Sequence, residues 1–237
     1  MKSLTLVLVA TLLTSFSAQA GSNSDRRALT LGSVETTDVT DQYPQHAVTD
    51  RELYESELLG QLNGISAKLT AAEAIVDQVI NIGTKVWNVV EKARPVSNYN
   101  SSRATALPQG ALAWSQLEGW QQPVTRVYSA SYKNLMGVEV ARLVYRVTLL
   151  YGGSVEGVGR YIGYASVEPV DVNVLPMWQL DATASVDSVY NMGTSRSPVA
   201  GMILNVSWQV RSVLSDRRQS DTLTLDANGN IRQTTRR

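Results

Sequence analysis

Apolar residues recur at regular steps between residues 49 and 94. From Leu58 to Val90, ten small or apolar residues follow one another at alternating steps of four and three. A 3.5-residue repeat of this kind is typical of one face of an α-helix. Thr49 and Glu52 have the spacing of a capping box, and Pro95 closes the pattern. The sequence therefore predicts a long amphipathic helix over residues 49–94.

Two interpretations of this helix remain open. It packs against the β-rich remainder of the chain, or its apolar face forms a seam that produces homo-oligomers or acts on membranes. A transmembrane span is not expected, because Glu73, Asp77 and Lys85 interrupt the most apolar part. The candidate oligomerisation seam consists of Leu58, Leu62, Ile65, Leu69, Val76, Val79, Val86 and Val90.

From residue 124 onward the period of the pattern changes to two. Apolar and polar residues alternate over residues 141–151, 178–186 and 202–210, which is typical of strands with one buried face. Gly152-Gly153 and Asn228-Gly229 are predicted hairpin turns. The expected fold is mainly β with one long α-helix (α+β). It is an antiparallel β-sandwich, or a strongly twisted antiparallel sheet, over residues 124–237, preceded by the amphipathic helix.

The remaining segments are predicted from composition. Residues 1–20 combine Lys2, an apolar run and an Ala18-Gln19-Ala20 cleavage pattern, which together predict a secretory signal peptide. Residues 21–48 are predicted to be a flexible polar leader, and residues 95–123 a connector. The protein is therefore expected to be exported, to the periplasm or outside the cell.

The connector carries two tryptophans, Trp114 and Trp120. They pack over the open end of the β-core, or they form a contact surface for a ligand or partner on which a sugar ring stacks. Trp114 and Trp120 are therefore the candidate residues for contact with a ligand or partner.

Composition excludes several chemistries. The chain has no cysteine and a single histidine, His46, in the polar leader. Thiol catalysis and the common zinc sites are therefore not expected, and a Ser–His–acid triad has little support. No cofactor is predicted. Residues 21–95 carry seven basic and eleven acidic residues, and residues 96–237 carry thirteen and ten. Charges so nearly balanced do not indicate nucleic-acid binding.

These patterns favour a binding protein over an enzyme. The first hypothesis is an exported, non-enzymatic module that binds a protein or glycan partner of the cell envelope. The alternative is a helix-mediated self-assembling or membrane-acting protein.

Overall fold

A computed structural model describes residues 22–47, 67–96 and 103–235. Nearly all regular structure in these ranges is antiparallel β-strand. The strands are β1 (Leu31–Asp38), β2 (Ile75–Ile80), β3 (Val86–Glu91), β4 (Arg94–Pro95), β5 (Ala104–Gln109), β6 (Val124–Asn134), β7 (Glu139–Val155), β8 (Val158–Val174), β9 (Gln179–Asn191), β10 (Ala200–Arg211), β11 (Asp216–Asp226) and β12 (Ile231–Thr235). Two short helices, α1 (Asn23–Ala28) and α2 (Pro44–Ala47), flank β1.

The described strands form two six-stranded sheets. The first has the order β1-β6-β7-β8-β5-β2, and the second β12-β11-β10-β9-β3-β4. Apolar side chains from both sheets meet in one large buried cluster, which includes Leu143 and Leu149 of the first sheet and Leu204 and Leu223 of the second. Burial of these facing surfaces is the main force that holds the sheets together. The β-rich prediction is confirmed, and the fold is consistent with a β-sandwich.

The long amphipathic helix predicted over residues 49–94 is wrong. Residues 67–94 contain strands β2 and β3 and the beginning of β4. Residues 49–66 lie outside the described residues. Strand β3 pairs with β9, with Val86 opposite Ser185 and Asn88 opposite Thr183. Strand β2 pairs with β5 in the first sheet, so the segment contributes strands to both sheets.

The physical reason lies in the residues that make the pattern. Valine and isoleucine are β-branched, which restricts their side chains in a helix and favours a pleated strand. Strand β3 also alternates: Trp87 and Val89 are buried, whereas Val86 and Asn88 are exposed. Two short strands joined through a bend at Gly83 imitate helical spacing. In a strand, a step of four joins residues on the same face and a step of three joins residues on opposite faces, so the repeat alone does not distinguish a strand from a helix.

Strands predicted from alternation are confirmed. Strands β7, β9 and β10 contain the predicted segments, and the β11–β12 hairpin turns at Asn228-Gly229. Strand β1 lies in the segment predicted as a polar leader and β5 in the predicted connector, and both pair into the first sheet.

Candidate functional site

The outer face of the second sheet carries a groove of about 440 Å³, which we call the polar groove. It crosses β9, β10 and β11 where these three strands run side by side. Its lining residues are Asp181, Thr183, Ser207, Trp208, Gln209, Arg218, Gln219 and Ser220. The groove is thus composed almost entirely of polar side chains.

Strand register brings these side chains together. Ser207 stands opposite both Thr183 and Ser220, which makes one row of three hydroxyl groups across the sheet. The next outward row has Gln209 at its centre, between Asp181 and Arg218. Because side chains alternate between the faces of a sheet, the neighbouring residues of each strand point into the core.

Hydrogen bonds hold Asp181 and Gln209 of the groove in place. Asp181 Oδ2 accepts a hydrogen bond from Arg211 Nη2 at 2.5 Å, and Asp181 Oδ1 accepts one from the backbone N–H of Lys92 at 2.7 Å. Gln209 Nε2 donates to Asp216 Oδ1 at 2.7 Å. Arg218 is exposed. The groove therefore combines fixed acceptors, hydroxyl groups that both donate and accept, and an exposed cationic donor.

A cluster of aromatic side chains and one carboxylate lies in the core beneath the groove. Asp221 is fully buried, and its Oδ2 accepts hydrogen bonds from Tyr145 Oη at 3.4 Å and Gln233 Nε2 at 2.6 Å. The rings of Tyr132 and Trp208 meet edge to face with their centroids 6.2 Å apart. Hydrogen bonds reduce the large cost of keeping a carboxylate away from water.

This environment keeps the tyrosine hydroxyls protonated. Burial raises the pKa of Tyr145 well above its usual value, and the negative charge of Asp221 raises it further. Burial likewise raises the pKa of Tyr132, with smaller contributions from Tyr145 and Asp221. The pKa of Tyr128 is raised to about 12, first by burial and then by the charge of Asp38. At neutral pH these groups therefore act as neutral hydrogen-bonding groups.

A second, smaller cavity of about 140 Å³ opens between β1 and β11. Its lining comprises Leu31, Gly32, Ser33, Val34, Tyr132, Trp208, Arg217, Arg218 and Gln219. The Tyr132 hydroxyl and the Trp208 indole N–H are buried and have no hydrogen-bond partner within the described ranges. Since an indole N–H only donates, a small acceptor in this cavity would suit it. Trp208, Arg218 and Gln219 line both this cavity and the polar groove.

The predicted tryptophan pair lies elsewhere, over the first sheet. Trp114 is 4% exposed and meets Trp120 edge to face, with ring centroids 5.9 Å apart.

The hairpin turn predicted at Gly152-Gly153 is wrong, because both glycines lie inside β7 and the chain turns at Glu156-Gly157. A Cβ atom on Gly153 would overlap the Trp120 ring. Ligand contact at the pair stays a prediction.

The predicted seam residues do not share one face. Leu58, Leu62 and Ile65 lie outside the described residues. Leu69 and Val90 are buried in the core. Val86 is 61% exposed, although it is one step of the repeat from Val90. The remaining two, Val76 and Val79, are half-buried in β2. Oligomerisation itself stays a prediction.

The sequence does not predict that the groove residues form a site, for a specific reason. Alternation marks Asp181, Thr183, Ser207 and Gln209 as outward-facing. It does not reveal which strands lie side by side, and the polar face becomes a groove only through the β9-β10-β11 order.

The described ranges contain no group of three or more histidine, cysteine, aspartate or glutamate residues placed to hold a metal ion. In the same ranges, no helix has both the length and the apolar character needed to cross a membrane. Comparison with known proteins yields no relative: no family model, no curated protein and no solved structure matches the chain.

Proposed function

We propose that this protein is an exported, non-enzymatic binding module that holds a glycan of the cell envelope in the polar groove. The observation that carries the proposal is the mixed hydrogen-bonding lining of the groove, in which the hydroxyl groups of Thr183, Ser207 and Ser220 lie beside the row that carries Asp181 and Arg218. Each hydroxyl of a sugar donates and accepts at the same time, so a surface that offers both functions fits it.

The dimensions of the groove agree with such a ligand. Its volume of about 440 Å³ lies within the range of roughly 300–1,000 Å³ that is usual for small-molecule sites. Trp208 is the one large apolar residue among its described lining residues, and that side chain is buried in the core. A lining of this kind favours a hydroxyl-rich ligand over an apolar peptide.

The state of Asp181 supports binding rather than hydrolysis. A glycosidase needs two carboxyl groups that face each other across the bound sugar. Asp181 is the one carboxylate among the described lining residues, and it is held by Arg211 and the Lys92 backbone. Its arrangement suits a fixed acceptor for a ligand hydroxyl. Export rests on residues 1–20, which lie outside the described residues, and stays a prediction.

Isothermal titration calorimetry with three soluble probes tests the proposal: peptidoglycan fragments, lipopolysaccharide core oligosaccharide and a neutral glucan. The Ser207→Trp variant fills the centre of the groove with a large side chain. We expect it to weaken binding of the recognised probe at least about tenfold, because the ligand loses its place on the sheet.

The matched control is Thr224→Trp, which places the same side chain on the outer face of β11 beyond the groove. Binding by this variant should equal that of the unaltered protein. The proposal fails if none of the three probes binds. It also fails if Ser207→Trp and Thr224→Trp bind the recognised probe equally well.

A further inference from the structure

Three connections between strands converge at one end of the sandwich, called here the loop end. They are residues 135–138 between β6 and β7, residues 175–178 between β8 and β9, and residues 212–215 between β10 and β11. Antiparallel pairing of β6 with β7, of β7 with β8, and of β9 with β10 and β11 places all three at the same end.

Large apolar side chains are concentrated on these connections. Met136 is 53% exposed on the first, Met177 71% on the second and Val213 79% on the third. Four more exposed apolar residues accompany them: Leu135, Val138, Leu175 and Leu214. Single exposed apolar residues are ordinary, whereas a group gathered at one end of a molecule marks an interaction surface.

The first and third connections are ordered turns. Asn134 Oδ1 accepts hydrogen bonds from the backbone N–H groups of Met136 and Val138, both at 3.0 Å. Ser212 Oγ accepts from the backbone N–H of Leu214 at 3.1 Å. Asparagine and serine side chains stabilise turns in this way. The apolar side chains are therefore presented by fixed backbone.

The second connection presents its apolar side chain from a less favourable backbone conformation. Met177 has φ of +69°, in the left-handed region that residues other than glycine rarely adopt. Backbone strain of this kind is concentrated at functional positions. The Met177 side chain is 71% exposed and therefore points outward, not into the core.

The segment 27–29, which comprises the end of α1 and the residue that follows it, ties the connections together. Arg27 Nη2 donates to the carbonyl oxygen of Leu135 at 3.1 Å, on the first connection. Ser212 Oγ donates to the carbonyl oxygen of Leu29 at 2.5 Å, on the third. The segment thus bridges the two sheets at this end, and the apolar groups of both sheets keep a fixed relative position.

Basic residues outnumber acidic ones around the loop end. The basic residues are Arg26, Arg27, Lys92, Arg94, Lys133, Arg211, Arg217 and Arg218. The acidic residues are Asp25, Glu91, Glu139, Asp181 and Asp216. Asp181 is paired with Arg211, which leaves the remaining excess positive. Basic charge beside apolar groups favours contact with an anionic lipid surface.

We infer that the loop end docks onto an anionic lipid bilayer, with Met136, Met177 and Val213 inserted at the level of the lipid headgroups and upper acyl chains. The three side chains project from three separate connections rather than from one continuous strand face. A bilayer accepts them without shape complementarity. The flanking arginines and lysines then lie at the depth of the lipid phosphates.

Vesicle co-sedimentation tests the inference on the purified protein. One set of vesicles contains phosphatidylcholine and phosphatidylglycerol, and the other phosphatidylcholine alone. We expect stronger binding to the anionic set, and weaker binding to it as salt rises. The triple variant Met136→Ser, Met177→Ser and Val213→Ser should reduce binding at least about tenfold, because each CH2 group kept out of the acyl region lowers partitioning about fourfold.

The control variant carries Leu112→Ser and Met192→Ser, two exposed apolar positions at the opposite end of the sandwich. It should bind anionic vesicles as the unaltered protein does, and circular dichroism checks that both variants are folded. The inference is overturned if the protein leaves anionic vesicles unbound, or if the triple variant binds them unchanged. It is also overturned if sedimentation velocity shows a dimer that the triple variant abolishes while vesicles remain unbound.

Discussion

A disulfide placed between β3 and β9 discriminates directly between a strand and a helix at residues 86–91. Asn88 and Thr183 are direct partners in the antiparallel ladder, and Thr183 Oγ1 donates to Asn88 Oδ1 at 3.5 Å on the exposed face. Direct partners have Cα atoms about 4.5–5.5 Å apart, within the range of roughly 4.4–6.8 Å that a disulfide spans. We expect the variant Asn88→Cys, Thr183→Cys to form this bond under mild oxidation.

The size of the effect follows from the loop that the bond closes. The positions are 95 residues apart in sequence. The entropy lost by the unfolded chain corresponds to about 4.7 kcal/mol of added stability for a loop of about this length, as an upper value. For a protein of this size, that increase raises Tm by about 9–19 °C. Strain in the bond lowers the gain.

Non-reducing electrophoresis and thermal unfolding with and without reductant measure bond formation and the Tm difference. Because the natural chain contains no cysteine, any disulfide belongs to the introduced pair. The control variant Asn88→Cys, Asp187→Cys places the second cysteine four residues beyond the partner on β9, too far along the strand for closure. The reasoning is refuted if the direct pair closes no faster than the control pair, or if closure leaves Tm unchanged.

The remaining predictions concern the core. Because the pKa of Tyr128 is about 12 and that of Tyr145 is also raised, the folded state holds these protons more tightly than the unfolded state does. The contribution of these two groups to the free energy of unfolding should be fully present below pH 10 and decline as pH rises from about 10 toward 12. Tyrosinate absorbance that appears well before unfolding, and that is lost in a Tyr128→Phe, Tyr145→Phe variant, would contradict this. Separately, Gly153→Ala should cost about 1–3 kcal/mol in urea unfolding, since its Cβ meets the Trp120 ring. Adding Trp120→Leu should make the combined cost less than additive, and strict additivity would disprove the contact.

Much of the β-structure could be predicted because one face of each long strand is buried. In β10, Met202, Leu204 and Val206 point into the core while Ser207 and Gln209 point out, and this alternation is visible in the sequence. The β11–β12 turn was equally readable, since Asn-Gly is the strongest short hairpin signal.

The helix prediction is wrong because the 3.5-residue repeat alone does not take account of the β-branched residues that make it up. The segment around Val86 and Val90 is rich in β-branched residues, and its two-residue alternation at Trp87 and Val89 is short. A strand of this length offers few positions to separate period 2 from period 3.5. Its partner β9 lies about 95 residues further along the chain, so nothing local indicated the pairing.

The two proposed surfaces could not be predicted from the sequence for a related reason. Ser207 and Ser220 become neighbours through the hairpin, but Thr183 joins them only through the β9–β10 register. Likewise, Met136, Met177 and Val213 each lie in a separate turn of the sequence. Their convergence depends on the antiparallel order of the strands.

Pairing of β1 with β6 has a consequence for how the chain acquires its structure. Ninety residues separate Asp38 from its partner Tyr128. At a synthesis rate of roughly 5–20 residues per second, β1 leaves the ribosome roughly 5–18 seconds before that partner. Until β6 has been made, β1 lacks its partner strand, and its exposed edge can pair with other chains. Pairing of β1 with β6 is therefore a long-range event, and the unfinished chain has to remain unassociated until β6 arrives.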